Sequence, residues 1–563
     1  MLKELRLNGA EALAQALVES GIEVVFGIPG VHNLALFEAL RRSGIRIVPT
    51  THEQGAAFMS NGYGRATGKP GVFITVPGPG LTNALTSLAE ALVDSTPMLG
   101  IVADVNQSHH TYQMHEIRQT LLVQPIVKSI RNVEHASEIS SSIKQMLALT
   151  TQGEPGPCIV QIPGNLYWDK VDSVETHPEQ RQSPAALSEI EAVVSLLKSA
   201  NRVGLFVGLG AAGAADEVRQ LAEWMNAPVA TTGSGRGVLD EAHPLSLGFA
   251  WKAGSIDSVN RMFAACDLVL AIGVRFSQNG TQDFRLEIFC PLIHVDASAD
   301  VLGRNYKTQM SIQMDARDFL QALLERRPDI GQRRDDEMLE MIRAEKENCD
   351  ARLQNDRGIE LMIGNQAIYP GVLYGKLREL LPPNAIVVTD TGYNERLTIQ
   401  HWLVHAPRTF INPSDFECMG FAIPTAIGAA FAFPERKVVA IMGDGGLVMS
   451  GLEMMTAVRE KLNLTLIVLN NHGFGIIRKI QEDFFGESVA ADVGAPNFKA
   501  LAESVGMSYL SMHGGMSALE QAITARTPTL LEIEMRHKEE NKMSKLGRKL
   551  KNDIRQGLQK FIN

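Results

Sequence analysis

The chain reads as an α/β protein of three domains, each a mainly parallel sheet with helices on both faces. Three observations predict this. Its 563 residues exceed what one hydrophobic core holds. Short apolar runs rich in β-branched residues alternate with stretches of helical spacing. Glycine-rich and polar clusters follow directly on several of those runs, where open α/β sheets place their ligand sites. The composition, 45% hydrophobic and 21% charged, is that of a globular protein. A formal net charge of −10 argues against nucleic-acid binding. Cys158, Cys266, Cys290, Cys349 and Cys418 follow no metal-ligand or disulfide spacing, which points to reduced core thiols and a cytoplasmic protein. The first residues lack an apolar signal core, and no run approaches a membrane span.

The first domain is expected over 1–172. Ala10 to Ser20 has helical spacing and leads into a strand from Glu23 that breaks at Gly27-Ile-Pro29-Gly30. A helix over Asn33–Arg42 and a strand over Ile45–Pro49 follow. Glu53 comes just past that strand end and opens a helix, a place where an acidic residue is favoured by the helix N-terminus alone. Thr75-Val-Pro-Gly78-Pro-Gly-Leu-Thr82-Asn83 reads as a strand ending in a turn, then a helix from Thr82. A further strand begins after Asp94. His109, His110, His115 and Arg118 crowd the segment 105–128. No second cluster completes a metal site with them, so the segment is either a solvated loop or a wall of a substrate site.

Residues 170–188 are polar, with Pro178 and Pro184, and read as a linker. The central domain is expected over 189–343. Gly208, Gly210 and Gly213 give a Gly-x-Gly-x-x-Gly after its first strand, which alone is weak evidence of a nucleotide site. Arg326 to Arg357 reads as a charged connecting helix. The third domain is expected over 358–535. Its strand from Ala385 ends in Asp390-Thr391-Gly392. Two apolar strands then end in Gly443-Asp444-Gly445-Gly446 and in Asn470-Asn471-His472-Gly473-Phe474. Between them, Ser450–Lys461 has helical spacing with Leu452, Met455 and Val458 on one face. Asp444 supplies a hard anionic oxygen and Asn471 a neutral one, and the flanking glycines let a ligand approach the backbone. Such a donor set, leaving room for phosphate oxygens, suits a magnesium–diphosphate site. Residues 536–563 read as a basic amphipathic helix that packs on a neighbouring subunit or touches an acidic surface.

Gly443-Asp-Gly followed by Asn470-Asn resembles the signature of thiamine diphosphate enzymes. His52-Glu-Gln-Gly-Ala-Ala, with Gly62-Tyr-Gly-Arg-Ala-Thr-Gly, resembles the acetolactate synthase and pyruvate oxidase branch of that family. The resemblance implies thiamine diphosphate and Mg²⁺ as cofactors. Asp444, Asn471 and the Gly473 carbonyl would ligate the metal. Thr391, Gly392, Gly443, Gly445, Gly446 and Phe474 would line the diphosphate. Met419 would prop the two rings into a V, and the backbone of Glu417, where the branch usually has glycine, would hold the 4′-amino group. Glu53 would bond N1′ of the pyrimidine, with a pKa raised by burial against the ring, and Pro29, Gly78 and Asn83 would line the cleft. His115 stands where acetolactate synthases carry glutamine, and is a catalytic candidate that titrates near neutrality. Arg275 and Phe276 survive from a flavin-binding stretch whose aspartates and second arginine are missing, so no FAD is expected and the central domain is expected to be structural.

The implied reaction is decarboxylation of a 2-oxo acid with ligation of its acyl carbon to a second carbonyl. The alternative is release of an aldehyde from a larger, possibly cationic, 2-oxo acid that Glu116 or Glu417 would meet. A non-catalytic scaffold is a third class, against which the retention of Glu53, Asp444 and Asn471 counts. The resemblance also implies a homodimer or homotetramer with Glu53 and Asp444 of each site on different subunits. A regulatory subunit stays open.

Overall fold

The computed structural model describes residues 7–108, 110–171, 187–249, 255–355 and 358–537. All but the first two residues of the expected tail, and most of the expected linker, lie outside them. Three sheets organise the chain. The first holds β1 (Val24–Gly27), β2 (Arg46–Pro49), β3 (Gly71–Thr75), β4 (Met98–Asp104), β5 (Ser129–Asn132) and β6 (Pro157–Pro163), in the order β2-β1-β3-β4-β6-β5. The second holds β7 (Val203–Val207), β8 (Val229–Thr231), β9 (Ser246–Phe249), β10 (Leu268–Ile272), β11 (Leu292–Asp296) and β12 (Met310–Gln313), in the order β12-β11-β10-β7-β8-β9. Both are parallel throughout.

The third sheet holds β13 (Ile359–Ile363), β14 (Gln366–Ile368), β15 (Ile386–Thr389), β16 (Phe410–Ile411), β17 (Val438–Gly443), β18 (Leu464–Asn470), β19 (Ser508–Ser511) and β20 (Thr529–His537). Its order is β14-β13-β20-β18-β17-β15-β16, with β19 also on β20 and antiparallel pairing only at β13. β20 runs to His537, past the expected end of the domain at 535.

The strand runs are apolar because helices cover both faces of each sheet. β3, β7, β10 and β18 are buried along their whole length. In each sheet the chain winds outward in both directions from one point. Those switch points lie between β1 and β3, between β7 and β10, and between β15 and β17. A crevice opens there at the carboxyl ends of the strands.

The first and third domains are joined by two helices, Glu53–Thr67 and Ala422–Ala432. They meet backbone to backbone. A Cβ on Gly62 would overlap the Thr425 carbonyl, and one on Gly428 would overlap that of Met59. Phe58 and Phe421 pack edge to face alongside, 5.5 Å apart. Beneath them Arg65 is buried with Glu90 at 2.9 Å and with Asp94.

Two sequence expectations need correction. The helix after β3 starts at Pro79, three residues before Thr82, because proline suits the first helical turn. The stretch after β17 is helical from Asp444 itself, over Asp444–Ser450, and reforms at Met454–Arg459 after a 3₁₀ turn. There Leu452 and Met455 are 60% and 48% exposed, and of the expected apolar face only Val458 packs against the core of this chain. The five thiols are free; four are buried and Cys290 is half-buried. Desolvation pushes Cys158 up to about 11. No helix among the described residues is long and apolar enough to cross a membrane.

Candidate cofactor and substrate site

The crevice between β15 and β17 is shaped by two residues that the sequence reading passed over as a polar strand end. Asp390, 1% exposed, accepts the N–H groups of Thr391 (3.0 Å) and Gly420 (3.1 Å) on one carboxylate oxygen and of Ala422 (3.0 Å) on the other. Burial still pushes it up to about 6. Asn394 donates to the carbonyls of Asp390 and Ile441, tying β15 to β17 across the crevice. A Cβ on Gly446 would stand 2.8 Å from the Asp390 carboxyl carbon, so only glycine fits beside it.

Asp444 follows at the end of β17, 2% exposed. One carboxylate oxygen accepts the Gly473 N–H at 2.7 Å and the other its neighbour Gly445 N–H at 3.1 Å. Desolvation raises its pKa against those donors. Gly443 pairs in register with Leu469 on β18, so Asp444 and the Asn470-Asn471 end of β18 emerge side by side. Asn471 folds its amide back over Gly475, and its carbonyl accepts from Arg478 at 3.4 Å. Phe474 and Met419 bracket Gly445: its Cβ would meet the ring at 2.8 Å and the Met419 methyl at 3.3 Å. No three His, Cys, Asp or Glu side chains converge as a metal cluster among the described residues. A cation here would take one carboxylate and otherwise neutral oxygens, the hard-donor chemistry of Mg²⁺ bound through phosphates. The glycine cradle leaves space for such a group, so the residues present fit a metal-bound diphosphate.

At the switch point of the first sheet, Glu53 opens its helix and accepts a hydrogen bond from Asn83 Nδ2 at 2.9 Å. It is half-buried. Gly78 has φ +62° and donates its N–H to Gln119 Oε1 at 3.0 Å. Gln119 is 2% exposed and also reaches the Ala103 carbonyl at 3.3 Å. It anchors the loop that carries His115, and only its burial in the fold distinguishes it from its polar neighbours in the sequence. His115 sits against Gly78, whose Cβ would come within 2.6 Å of the His115 carbonyl. Pro29 lies on the exposed turn after β1. His110, Arg118 and Glu116 are exposed, the last accepting the Gln113 N–H at 2.8 Å, and His109 lies outside the described residues.

Glu53 follows β2 of the first sheet and Asp444 follows β17 of the third, so one chain carries two sets of site residues on the edges of two different sheets.

A third opening lies where the central domain meets the other two, a cavity of about 850 Å³. Gly210, Gly213, Arg275 and Asp296 line it from the central domain, Asp94 from the first, and Thr391, Glu395 and Glu417 from the third. The glycine motif of the central domain walls this cavity. Glu417 takes φ +57°, the left-handed conformation that favours the glycine usual at this position. Its carboxylate accepts from Asn279 at 3.1 Å and meets that of Glu395, which accepts from Asn412 at 2.8 Å. Desolvation raises both, Glu395 well above its ordinary value with Glu417 adding to it.

Three doubly wound domains, with a glycine-cradled carboxylate on one sheet edge and a glutamate in the first turn of a helix on another, define the class of α/β proteins that bind ligands at the carboxyl ends of their strands. The models of the thiamine pyrophosphate enzyme family match all three parts: the N-terminal TPP-binding domain over residues 7–122, the central domain over 190–323, and the C-terminal TPP-binding domain over 390–533. The chain is 32% identical to the acetolactate synthase isozyme 1 large subunit of Escherichia coli K12, with 94% of each chain covered. It is 31% identical to the acetolactate synthase large subunit of Parasynechococcus marenigrum (95% of this chain, 88% of the relative) and 30% identical to a probable acetolactate synthase large subunit of Methanococcus aeolicus (97% and 95%). The protein belongs to the thiamine pyrophosphate enzyme family, in its acetolactate synthase branch, and is a thiamine diphosphate-dependent enzyme.

Proposed function

We propose that the protein decarboxylates a 2-oxo acid and ligates the acyl carbon to a second carbonyl compound, using thiamine diphosphate and Mg²⁺. The observation that carries this reading is the pairing of Asp444 with Gly473 at the strand end next to Asn471, on the crevice between β15 and β17. Asp444, Asn471 and the Gly473 carbonyl would hold Mg²⁺. Thr391, Gly392, Gly443, Gly445, Gly446 and Phe474 would hold the diphosphate, and Met419 with the Glu417 backbone would position the rings. When bound, the cofactor supplies an electron sink for the carbon that loses CO₂. Glu53, oriented by Asn83, would hold the proton facing the pyrimidine ring. Pro29 and Gly78 wall the cleft, and His115 faces the reacting end of the substrate.

Two copies of the chain complete each site in this reading. Exposed apolar side chains support it: Val448, Met449, Leu452 and Met455 border the Asp444 edge, and Val31 and Leu34 border the Glu53 edge. We place the enzyme in the cytoplasm as a homodimer or homotetramer.

A second reading, release of an aldehyde from a larger cationic 2-oxo acid, is favoured by the Glu395–Glu417 pair beside Thr391 in the cavity. A substrate panel with purified protein, thiamine diphosphate and Mg²⁺ separates the two. The panel holds pyruvate, longer 2-oxo acids and one with a guanidinium end. A ligated hydroxy-oxo acid from pyruvate is the expected product; an aldehyde from the cationic acid, with pyruvate inert, would replace the first reading by the second.

A further inference from the structure

Beside Gly78, two imidazoles face each other. The rings of His32, on the turn after β1, and His115, on the loop anchored by Gln119, lie 5.2 Å apart between centroids, inclined by 36°. The Nδ1 atoms of both are buried without a hydrogen-bond partner. His115 is held at φ +70°, a conformation a bulky residue rarely takes without a reason in the surrounding structure. Its backbone presses on Gly78, and that turn runs into the helix whose Gly80 and Asn83 face the Glu53 carboxylate. His32 is fixed from the other side, where a Cβ on Gly164 would come within 3.2 Å of its carbonyl. Both rings thus occupy the crevice of the first sheet, on the same turns that position Glu53. Two buried ring nitrogens without a hydrogen-bond partner, this close to each other, are an unusual feature that calls for a reason.

We propose that His32 and His115 form one acid–base unit that supplies the proton taken up when the new carbon–carbon bond forms. This rests on the carboligation reading above. As the donor carbon attacks the acceptor carbonyl, the C–C bond forms, the C=O π bond breaks, and its electron pair passes to oxygen. That oxygen takes a proton from the imidazolium of the pair and becomes the hydroxyl of the product. The neutral pair is recharged by one proton from water, which is the one proton that condensation of two 2-oxo acid anions into one product anion and CO₂ consumes. The pair holds one such proton at a time, because two imidazolium charges at this separation repel. The other titratable groups around it are few. Asp104, at the end of β4, favours the charged form of His32, while desolvation and His115 oppose it and lower its pKa. Glu116 borders the same loop and acts on Asp104.

The test uses full-length protein loaded with thiamine diphosphate and Mg²⁺, as wild type, His32→Asn, His115→Asn and the double variant. Cofactor binding to each is measured by calorimetry. Ligated product is then quantified against CO₂ released with an artificial electron acceptor present, which removes the need for the ligation proton. A unit predicts a loss of ligation of about 10²–10⁴-fold in either single variant, a double variant no worse than the singles within a few-fold, and a loss of CO₂ release with the artificial acceptor that is smaller than the loss of ligated product. An independent readout needs no turnover. With ¹³C-labelled histidine, the His32 resonance titrates below its ordinary range in the wild type and moves upward in His115→Asn. Multiplicative losses in the double variant, or a His32 titration indifferent to His115, would overturn the proposal. Failure of the wild type to bind thiamine diphosphate would instead overturn the cofactor reading beneath it, and the resonance measurement would still report whether the pair is coupled.

Discussion

Gly62 and Thr425 touch through their backbones: the α-carbon of one faces the carbonyl of the other with no room for a methyl group between them. The two helices carrying them join the first domain to the third. Gly62→Ala forces these helices apart and is expected to cost about 1–3 kcal/mol, the range of overpacked core positions. Urea denaturation checks this, with Gly44→Ala as a test of specificity, since Gly44 faces open space and only its positive φ of 83° is strained.

Glu53→Gln keeps the shape and the Asn83 contact on one oxygen but cannot exchange a proton. We expect cofactor affinity within a few-fold of the wild type and turnover lower by about 10²–10⁴. Wild-type turnover would remove Glu53 from the mechanism.

Asp444→Ala removes the only carboxylate of the proposed metal set and the acceptor that holds Gly473. Calorimetry with thiamine diphosphate is expected to show binding that no longer responds to Mg²⁺. An unchanged Mg²⁺ dependence would contradict the metal assignment.

Asp296, at the end of β11 in the cavity wall, is pushed up to about 6 by burial, against an unfolded value near 3.8. A raised folded pKa means the folded state holds the proton more tightly. The stability this contributes is full below the unfolded value and is lost as pH rises through about 6. Asp296→Asn removes that loss, so its stability relative to the wild type should rise between pH 5 and pH 7.5 by about 1–3 kcal/mol. A pH-independent difference would show that the cavity hydrates the carboxylate fully.

The sheets were legible because a parallel strand buried on both faces is a short apolar run. Their ligand edges were legible because glycine and polar residues cluster where such runs stop. Asp444, Asn471 and Glu53 could be found that way. Asp390, Asn394 and Gln119 could not: each acts through backbone groups brought to it from elsewhere in the chain, and its own neighbours in sequence carry no sign of that. The helix at Asp444 was hidden by glycines that speak for a turn. Leu452 and Met455 show the limit of periodicity, which reports that a face is apolar and not what covers it. Likewise Gly210 and Gly213 gained meaning only when the fold set Asp94 and Glu417 across a cavity from them.

The weld between the Glu53–Thr67 and Ala422–Ala432 helices fixes the Glu53 edge and the Asp444 edge of one chain relative to each other. A two-fold axis that brings one chain's Glu53 edge to the Asp444 edge of a second brings the reciprocal pair together in the same step. Damage to the two edges is then complementary. Mixed and reassembled in equal amounts, chains carrying Glu53→Gln and chains carrying Asp444→Ala, each inactive alone, pair half of the time with one another. In the dimer proposed above each mixed pair would hold one site with both edges intact, so about a quarter of the wild-type activity is expected to return on mixing.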